Sequence, residues 1–294
     1  MAIKRKGKAA NMQFNLGSFF DFFQLHKTKL IILIAIIAAL LVGNVLVKKP
    51  QIAIIEIKDK ISDDYADNLT KMISHAYLNE DIKAVVLAVS SPGGEASAVE
   101  GVYLSLLELR KKKPVVVSIE GIAASGAYYD SVAANYIFST PSATIGSVGV
   151  VSVLPKPEKL SDDTIISGPF KKVGSTAKKF TYELKAVQEG FLNAVITQRK
   201  NKLNLSKDEL SEARTYLANE ALQHGMIDAI GSGLDAINKA ASYAGIANYD
   251  VVKLNEKLSI RAVITINPLS IDQNIFTNNT NTVPRYYYIY VAQE

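Results

Sequence analysis

Between Pro50 and residue 153, short apolar runs alternate with longer stretches in which apolar residues recur every three or four positions. The runs that predict buried strands are QIAIIEIKD (51–59), IKAVVLAVS (82–90) and PVVVSIE (114–120). The stretches that predict the helices between them are DDYADNLTKMISHAYLNE (63–80) and AVEGVYLSLLELRKKK (98–113). Strands that are apolar on both faces and alternate with helices predict an α/β fold with a mostly parallel sheet and flanking helices.

The same pattern continues, more weakly, to residue 255, and we predict one globular domain over residues 50–255. Further strand-like runs are NYIFST (135–140), TIGSVGVVSV (144–153) and DVVKL (250–254). Further helical patterns cover residues 183–202, SKDELSEAR (206–214) and GLDAINKAASYAG (233–245), whereas residues 155–182 are predicted to be a loop. Residues 256–294 form a C-terminal tail that ends in the apolar, aromatic stretch RYYYIYVAQE.

Eighteen uncharged residues, LIILIAIIAALLVGNVLV (30–47), precede this domain. As a helix they span about 27 Å, close to the hydrocarbon thickness of a bilayer. A cleaved signal peptide is the alternative, but VLVKKP is a poor cleavage site, so we predict an uncleaved transmembrane helix over 30–47. The basic and aromatic segment 1–29 is then cytoplasmic and the domain lies outside the cell membrane, which the chain crosses once.

Charge and composition exclude several classes of function. The net charge is +5, but residues 1–49 carry +7, which leaves −2 for the rest of the chain. A mildly acidic domain predicts no binding to nucleic acid. The chain has no cysteine, which excludes disulfides and thiolate chemistry.

Two turns follow neighbouring predicted strands, where open α/β sheets place their active sites. SPGGE (91–95) offers backbone N–H groups that could stabilise an oxyanion, and ASGAYY (124–129) presents Ser125 among small residues before a helix. Close packing of small residues is the alternative explanation of Ser125, and a plain turn is the alternative explanation of the glycine pair.

A serine nucleophile needs a base. None of the three histidines, His26, His75 and His224, is well placed in the sequence. A lysine can serve instead if burial lowers its pKa from about 10.4 to about 7–8. The lysines that remain open on spacing alone are Lys171, Lys172, Lys178 and Lys179.

Four stretches resemble, in order and spacing, the signal peptide peptidase A family. They are VSSPGGEA, IAASGAYYDSVAANYIFSTPSATIGSVGV, SGPFKKVGS and EARTYLANEALQHGMIDAIGS, and the resemblance covers about residues 52–245. The family consists of membrane-bound serine peptidases with a Ser/Lys dyad and the fold shared by Clp proteases and crotonases. The chain therefore resembles a Clp protease/crotonase-like α/β domain preceded by one transmembrane helix.

The resemblance implies a role for individual residues. Ser125 matches the nucleophile, and Lys171 matches the general base, with Lys172 in reserve. Gly94 and the N–H of Gly126 match the oxyanion hole, and Ser147 matches a serine that helps to orient the lysine. The mechanism that the resemblance implies uses no metal and no cofactor.

The resemblance also implies partners. Because the chain holds one serine motif and one lysine motif, it resembles the half-length type, a ring-like homo-oligomer whose dyad is completed between subunits. The implied substrates are remnant signal peptides and other apolar peptides near the lipid bilayer. We further hypothesise that RYYYIYV adds as a strand along a groove of its own or of a neighbouring subunit.

Two other functions remain open at this point. One is a crotonase-like hydratase or isomerase acting on coenzyme A thioesters, which would have no need of Ser125 and Lys171. The other is a catalytically silent membrane scaffold with the same fold.

Overall fold

The computed structural model describes residues 27–29, 31–38, 48–153, 165, 167–168, 171, 176–260 and 286–290. The chain divides into two units, residues 1–48 and 49–294. In the first unit, residues 27–29 and 31–38 are helical, and we call them α1. None of the helices described here is long and apolar enough to cross a membrane. Residues 30 and 39–47 lie outside the described part of the chain, so the transmembrane helix over 30–47 stays a prediction.

The second unit is built on a sheet with the strand order β10-β1-β2-β4-β5-β9. These strands are β1 (Gln51–Lys58), β2 (Ile82–Ser91), β4 (Val115–Ala124), β5 (Tyr136–Ser139), β9 (Ala229–Ile230) and β10 (Asp250–Lys253). Each neighbouring pair is parallel. Strand β6 (Thr144–Gly146) adds parallel to the end of β4, and β8 (Thr215–Leu217) pairs antiparallel with β6. The prediction of an α/β fold with a mostly parallel sheet is therefore confirmed.

The central strands alternate their side chains between two apolar layers, as the two-residue period of a strand requires. In β2, Val85, Leu87 and Val89 belong to the larger core cluster, whereas Ala84 and Val86 belong to the smaller one. Helices α2 (Asp63–Leu78) and α3 (Ala96–Lys112) cover the first face, and α8 (Gly233–Ala244) covers the second. Burial on both faces explains why these strands read as unbroken apolar runs in the sequence.

The remaining helices are α4 (Gly126–Ser131), α5 (Ala177–Arg199), a 3-10 turn (Lys200–Lys202), α6 (Lys207–Ser211), α7 (Ala218–Gln223) and α9 (Leu254–Lys257). Helix α6 begins at a capping box of Ser206 and Glu209, as its sequence predicts. Helix α5 begins at Ala177, six residues before the predicted start, because the Thr176 hydroxyl accepts a hydrogen bond from the Lys179 N–H.

A second, antiparallel sheet has the order β3-β11-β7. It joins β3 (Gly93–Glu95), β11 (Tyr286–Ile289) and β7 (Val151–Ser152). The prediction of one strand over 144–153 is wrong, because Ser147 has a φ of 53° and the chain turns between β6 and β7. The short turn SPGGE likewise contains a strand, β3, which is paired with the aromatic end of the chain.

Candidate active site

Ser125 stands where β4 ends and α4 begins, in a conformation that few residues adopt. Its φ of 52° and ψ of −121° lie outside the usual regions for a residue with a Cβ. Hydrogen bonding helps to hold this backbone, since the Ser125 N–H donates to the Gly146 carbonyl at 2.7 Å. Strain of this kind persists only where the surrounding structure enforces it, and it is concentrated at functional sites.

The hydroxyl of Ser125 is buried but is not held by a strong hydrogen bond. The side chain is 1% exposed, and Oγ donates to the Gly149 carbonyl at 3.5 Å, the long limit for such a bond. A buried hydroxyl with so weak a partner is free to turn toward an incoming group. The contact with Gly149 could not be predicted from the sequence, because it depends on the turn between β6 and β7.

The glycine pair of the SPGGE turn lies beside Gly126, in a space with no room for side chains. A Cβ on Gly93, whose φ is 97°, would stand 2.6 Å from the Gly126 nitrogen. A Cβ on Gly126 would stand 3.2 Å from the Gly94 nitrogen. The structure thus brings both predicted oxyanion donors, Gly94 and Gly126, to the turn that follows Ser125.

The hydrogen bonds of β3 leave the Gly94 N–H directed away from Ile61 and toward β11. The Gly93 carbonyl and the Glu95 N–H bond to Ile61 at 2.8 and 2.9 Å, on one side of the strand. Successive backbone groups of a strand point to opposite sides, so the N–H of Gly94 faces the other side, where β11 lies. The predicted donor is therefore available to a peptide that pairs with β3.

Ser147, the predicted lysine-orienting residue, follows β6. Its positive φ is held by a hydrogen bond from its N–H to the Arg214 carbonyl at 2.8 Å. Ser147 and Gly149 line a cavity of about 680 Å³, whose other wall includes Arg214 and Tyr290. Ser147 and Ser125 are thus both linked to the turn around Gly149, although no hydrogen bond joins their side chains among the described residues.

The structure does not bring the predicted lysine onto Ser125 within this chain. Lys171 is exposed in a turn, where its N–H donates to the Gly168 carbonyl at 3.1 Å, and Lys172 lies outside the described residues. Lys178 and Lys179 are exposed in the first turn of α5, and Lys179 forms an ion pair with Glu183 at 3.6 Å. A partner for the Ser125 hydroxyl is thus the missing part of the site.

Neither described histidine takes that place. The His75 ring lies 3.4 Å from the Asn79 amide on α2, and the His224 ring packs edge-on against Tyr216. His26 lies outside the described residues. Within the described part of the chain no group of His, Asp and Glu side chains is arranged to hold a metal ion.

Two peptidase family models match parts of this chain. The family model "Peptidase family S49" matches residues 108–247, and the model "Clp protease" matches residues 42–146. The first match includes Ser125, Ser147 and Lys171, and the second includes the SPGGE turn and Ser125. The S49 match covers 140 of the 294 residues, and over this region the chain is similar to that family.

Relatives of this chain carry peptidase names. Protease MJ0651 of Methanocaldococcus jannaschii is 32% identical over 189 residues, 60% of this chain and 60% of that protein. Protease 4 of Salmonella typhi is 31% identical over 198 residues, 62% of this chain and 32% of its own length. A protein of Enterococcus faecium named as signal peptide peptidase SppA is 30% identical over 187 residues, 58% of this chain and 54% of the relative. The aligned region spans less than two thirds of each of these three relatives.

The fold has a solved counterpart. A structure of the 1510-N membrane-bound stomatin-specific protease, in complex with a substrate peptide, covers 72% of this chain and 97% of its own at 17% identity, with a TM-score of 0.51. At this identity the likeness shows the fold alone. It agrees with the α/β architecture that the strand order of this chain displays.

Proposed function

We propose that the chain is a membrane-anchored serine endopeptidase that cleaves remnant signal peptides and other apolar peptides, with Ser125 as nucleophile and Lys171 as general base. The observation that carries this proposal is the strained, buried Ser125 beside the N–H groups of Gly94 and Gly126. The peptidase family models that match parts of the chain and the peptidase names of its relatives support the same reaction class.

The proposed reaction begins when Ser125 Oγ attacks a peptide carbonyl and passes its proton to the lysine amine. The N–H groups of Gly94 and Gly126 then stabilise the negative charge that develops on the carbonyl oxygen. The lysine returns the proton to the leaving amine, and water hydrolyses the acyl-enzyme by the reverse use of the same groups. Ser147 orients the lysine, and no step in this scheme calls for a metal or a cofactor.

We propose that a neighbouring subunit supplies the lysine in a homo-oligomer. Two observations support this. The Ser125 hydroxyl contacts the Gly149 carbonyl rather than a base, and Lys171 is exposed in its own chain, where a second subunit can reach it. A dyad shared between subunits would also confine peptide cleavage to the assembled enzyme.

The membrane part of the proposal rests on the sequence. An uncharged segment over 30–47 with basic residues on both sides would anchor the chain with its N-terminus in the cytoplasm. The catalytic domain would then face apolar peptides that leave the bilayer. The name of the Enterococcus faecium relative, a signal peptide peptidase, supports this class of substrate.

A serine-directed fluorophosphonate tests the proposed nucleophile. We expect the detergent-solubilised chain to be labelled on the peptide that contains Ser125, and the Ser125→Ala variant to lose the label. Ser105→Ala is the matched control, because its hydroxyl bonds to the Gly101 carbonyl on the exposed side of α3. Labelling that persists in Ser125→Ala, or hydration of a coenzyme A thioester by the unlabelled chain, would contradict the proposal.

A further inference from the structure

The aromatic end of the chain lies in the groove that a substrate would use. Strand β11 pairs antiparallel with β3 on one side and with β7 on the other. The Tyr290 N–H donates to the Pro92 carbonyl at 2.9 Å. Hydrogen-bonded pairs alternate along an antiparallel ladder, so Tyr288 and Gly94 form the next such pair.

This register places one peptide carbonyl at the predicted oxyanion donors. The Tyr288 oxygen lies 2.1 Å from the point where a Cβ on Gly93 would stand, and 3.0 Å from the corresponding point on Gly126. Tyr288 is therefore the residue whose carbonyl lies against the glycine turn. Its side chain marks the pocket that would hold the equivalent residue of a substrate.

The pocket under Tyr288 is aromatic at its walls and polar at its base. The ring is fully buried and packs edge-on against Tyr129 and Phe191, with centroids 5.3 and 5.1 Å away. The Tyr288 hydroxyl donates to the Glu100 carboxylate at 2.9 Å and lies 3.1 Å from the Val187 carbonyl. A phenylalanine would fill the same walls but would leave the carboxylate without this donor.

The pattern repeats two residues earlier, on the same side of the strand. The Tyr286 hydroxyl donates to the Glu183 carboxylate at 2.8 Å. Tyr287 points to the opposite side of the strand, and its ring centroid lies 5.2 Å from Lys60 Nζ. Two tyrosines that each meet a glutamate at alternate positions indicate that this face of the groove recognises hydroxyls.

We propose that Glu100 is a specificity-determining residue that selects tyrosine at the position whose carbonyl meets Gly94, and that the segment 286–290 is a competing, substrate-like occupant of the groove. This inference rests on the proposed peptidase function for the cleavage that follows binding. Glu100 also borders a cavity of about 340 Å³ with Ser97 and Asp63, so it stays within reach of solvent and of an incoming hydroxyl when the tail is displaced.

Binding of a labelled pentapeptide to the full-length chain tests the inference. The probe is fluorescein-labelled Tyr-Tyr-Tyr-Ile-Tyr, the sequence of residues 286–290, and a second probe has phenylalanine at the third position. The protein carries Ser125→Ala, to prevent cleavage, and Tyr288→Ala, to loosen the tail. We expect the tyrosine probe to bind about tenfold more tightly than the phenylalanine probe, the range for a hydrogen bond to a charged group.

Substitutions on α3 test whether Glu100 causes the preference for the tyrosine probe. Glu100→Leu should abolish it, whereas Glu108→Leu, on the exposed part of the same helix, should leave it unchanged. Restoring Tyr288 in the tail should weaken binding of the tyrosine probe about tenfold or more, because the tail then competes in the same molecule.

The outcomes separate this inference from the proposed function. Equal binding of the two probes, no binding of either, or a preference that survives Glu100→Leu would overturn the inference. The comparison of the two probes needs no substitution at Glu100, so it decides even if that variant does not fold. If the probes bind with the expected preference but the chain with Ser125 intact cleaves no peptide, the inference stands and the proposed function fails.

Discussion

Tyr288 lies opposite Gly94 in an antiparallel ladder, and its backbone oxygen comes within 2.1 Å of the point where a Cβ on Gly93 would stand. The glycine turn after β2 and the end of the chain therefore share one small space. A peptide carbonyl fits there only because Gly93 has no side chain.

Gly93→Ala should therefore reduce peptide hydrolysis about 100-fold or more, comparable to the loss of an oxyanion donor. The added methyl would displace the carbonyl, and the φ of 97° would strain an alanine further. Gly101→Ala is the matched control, because a Cβ there meets no atom within 4 Å. Initial rates with a fluorogenic peptide measure both variants, and an active Gly93→Ala enzyme would contradict the assignment of this turn.

Mixing two inactive variants tests the shared dyad. Chains with Ser125→Ala and chains with Lys171→Ala, co-expressed in equal amounts, should regain about a quarter of the wild-type activity, since random assembly pairs an intact serine with an intact lysine at that fraction of boundaries. Lys172→Ala should need no partner and stay active. Mixed assemblies without activity would show that both groups belong to one subunit, and a Lys171→Ala chain that is active by itself would show that Lys171 is not the base.

Asp130 predicts a pH dependence of stability. It is completely buried on α4, neither carboxylate oxygen has a hydrogen-bond partner among the described residues, and burial raises its pKa well above the ordinary value. Above the ordinary pKa the unfolded chain loses this proton while the folded chain keeps it, so the contribution of Asp130 to stability falls as the pH rises.

Asp130→Asn should therefore gain stability relative to the parent between about pH 3.5 and pH 7. Denaturant unfolding, followed by circular dichroism at both pH values, measures the difference. Asp64→Asn, at an exposed position on α2, should show no such trend. A difference between Asp130→Asn and the parent that does not change with pH would show that the Asp130 carboxyl is not protonated in the folded state.

The buried ion pair of Arg199 and Asp228 should contribute more to the free energy of unfolding than an exposed ion pair does. Both side chains are 4% exposed, and two guanidinium nitrogens each lie 3.0 Å from a carboxylate oxygen. Asp228→Ala leaves Arg199 buried without its partner and should reduce the free energy of unfolding by about 3–5 kcal/mol.

Glu189→Ala provides the comparison for that pair. It breaks an ion pair with Lys207 in which both side chains are about half exposed, so it should change the free energy of unfolding by only about 0–1 kcal/mol. Chemical denaturation of the two variants measures both effects. Equal losses in the free energy of unfolding would show that the buried pair stabilises the domain no more than the exposed pair does.

The central sheet and its helices could be predicted from the sequence, because unbroken apolar runs alternate there with stretches of helical periodicity. The runs of β1, β2 and β4 are apolar on both faces. Helices α2 and α3, which lie between these strands in the sequence, each bury one apolar stripe. Ser125 and the glycine turn are predictable for the same reason, since both lie at the ends of these strands. Local patterns suffice wherever the environment repeats along the chain.

The rest depends on contacts between distant residues. Strand β8 has no prediction in the sequence, because TYL is too short to show a period and β8 exists by pairing with β6. The break after β6 requires Ser147 to adopt a positive φ, which its neighbours enforce. The aromatic tail suggested a strand, but its position against Gly94 depends on a register that no local pattern encodes.

The most direct measurement is the rate at which the detergent-solubilised enzyme and its Ser125→Ala variant hydrolyse a fluorogenic apolar peptide that contains tyrosine. Ser105→Ala serves as the control, and size-exclusion chromatography confirms that all three proteins assemble alike. We predict that Ser125→Ala loses activity about 1,000-fold or more, as expected when a serine nucleophile is removed, while Ser105→Ala keeps the parent rate. A Ser125→Ala enzyme that cleaves as fast as the parent would show that Ser125 is not the nucleophile and that its small neighbours serve close packing only.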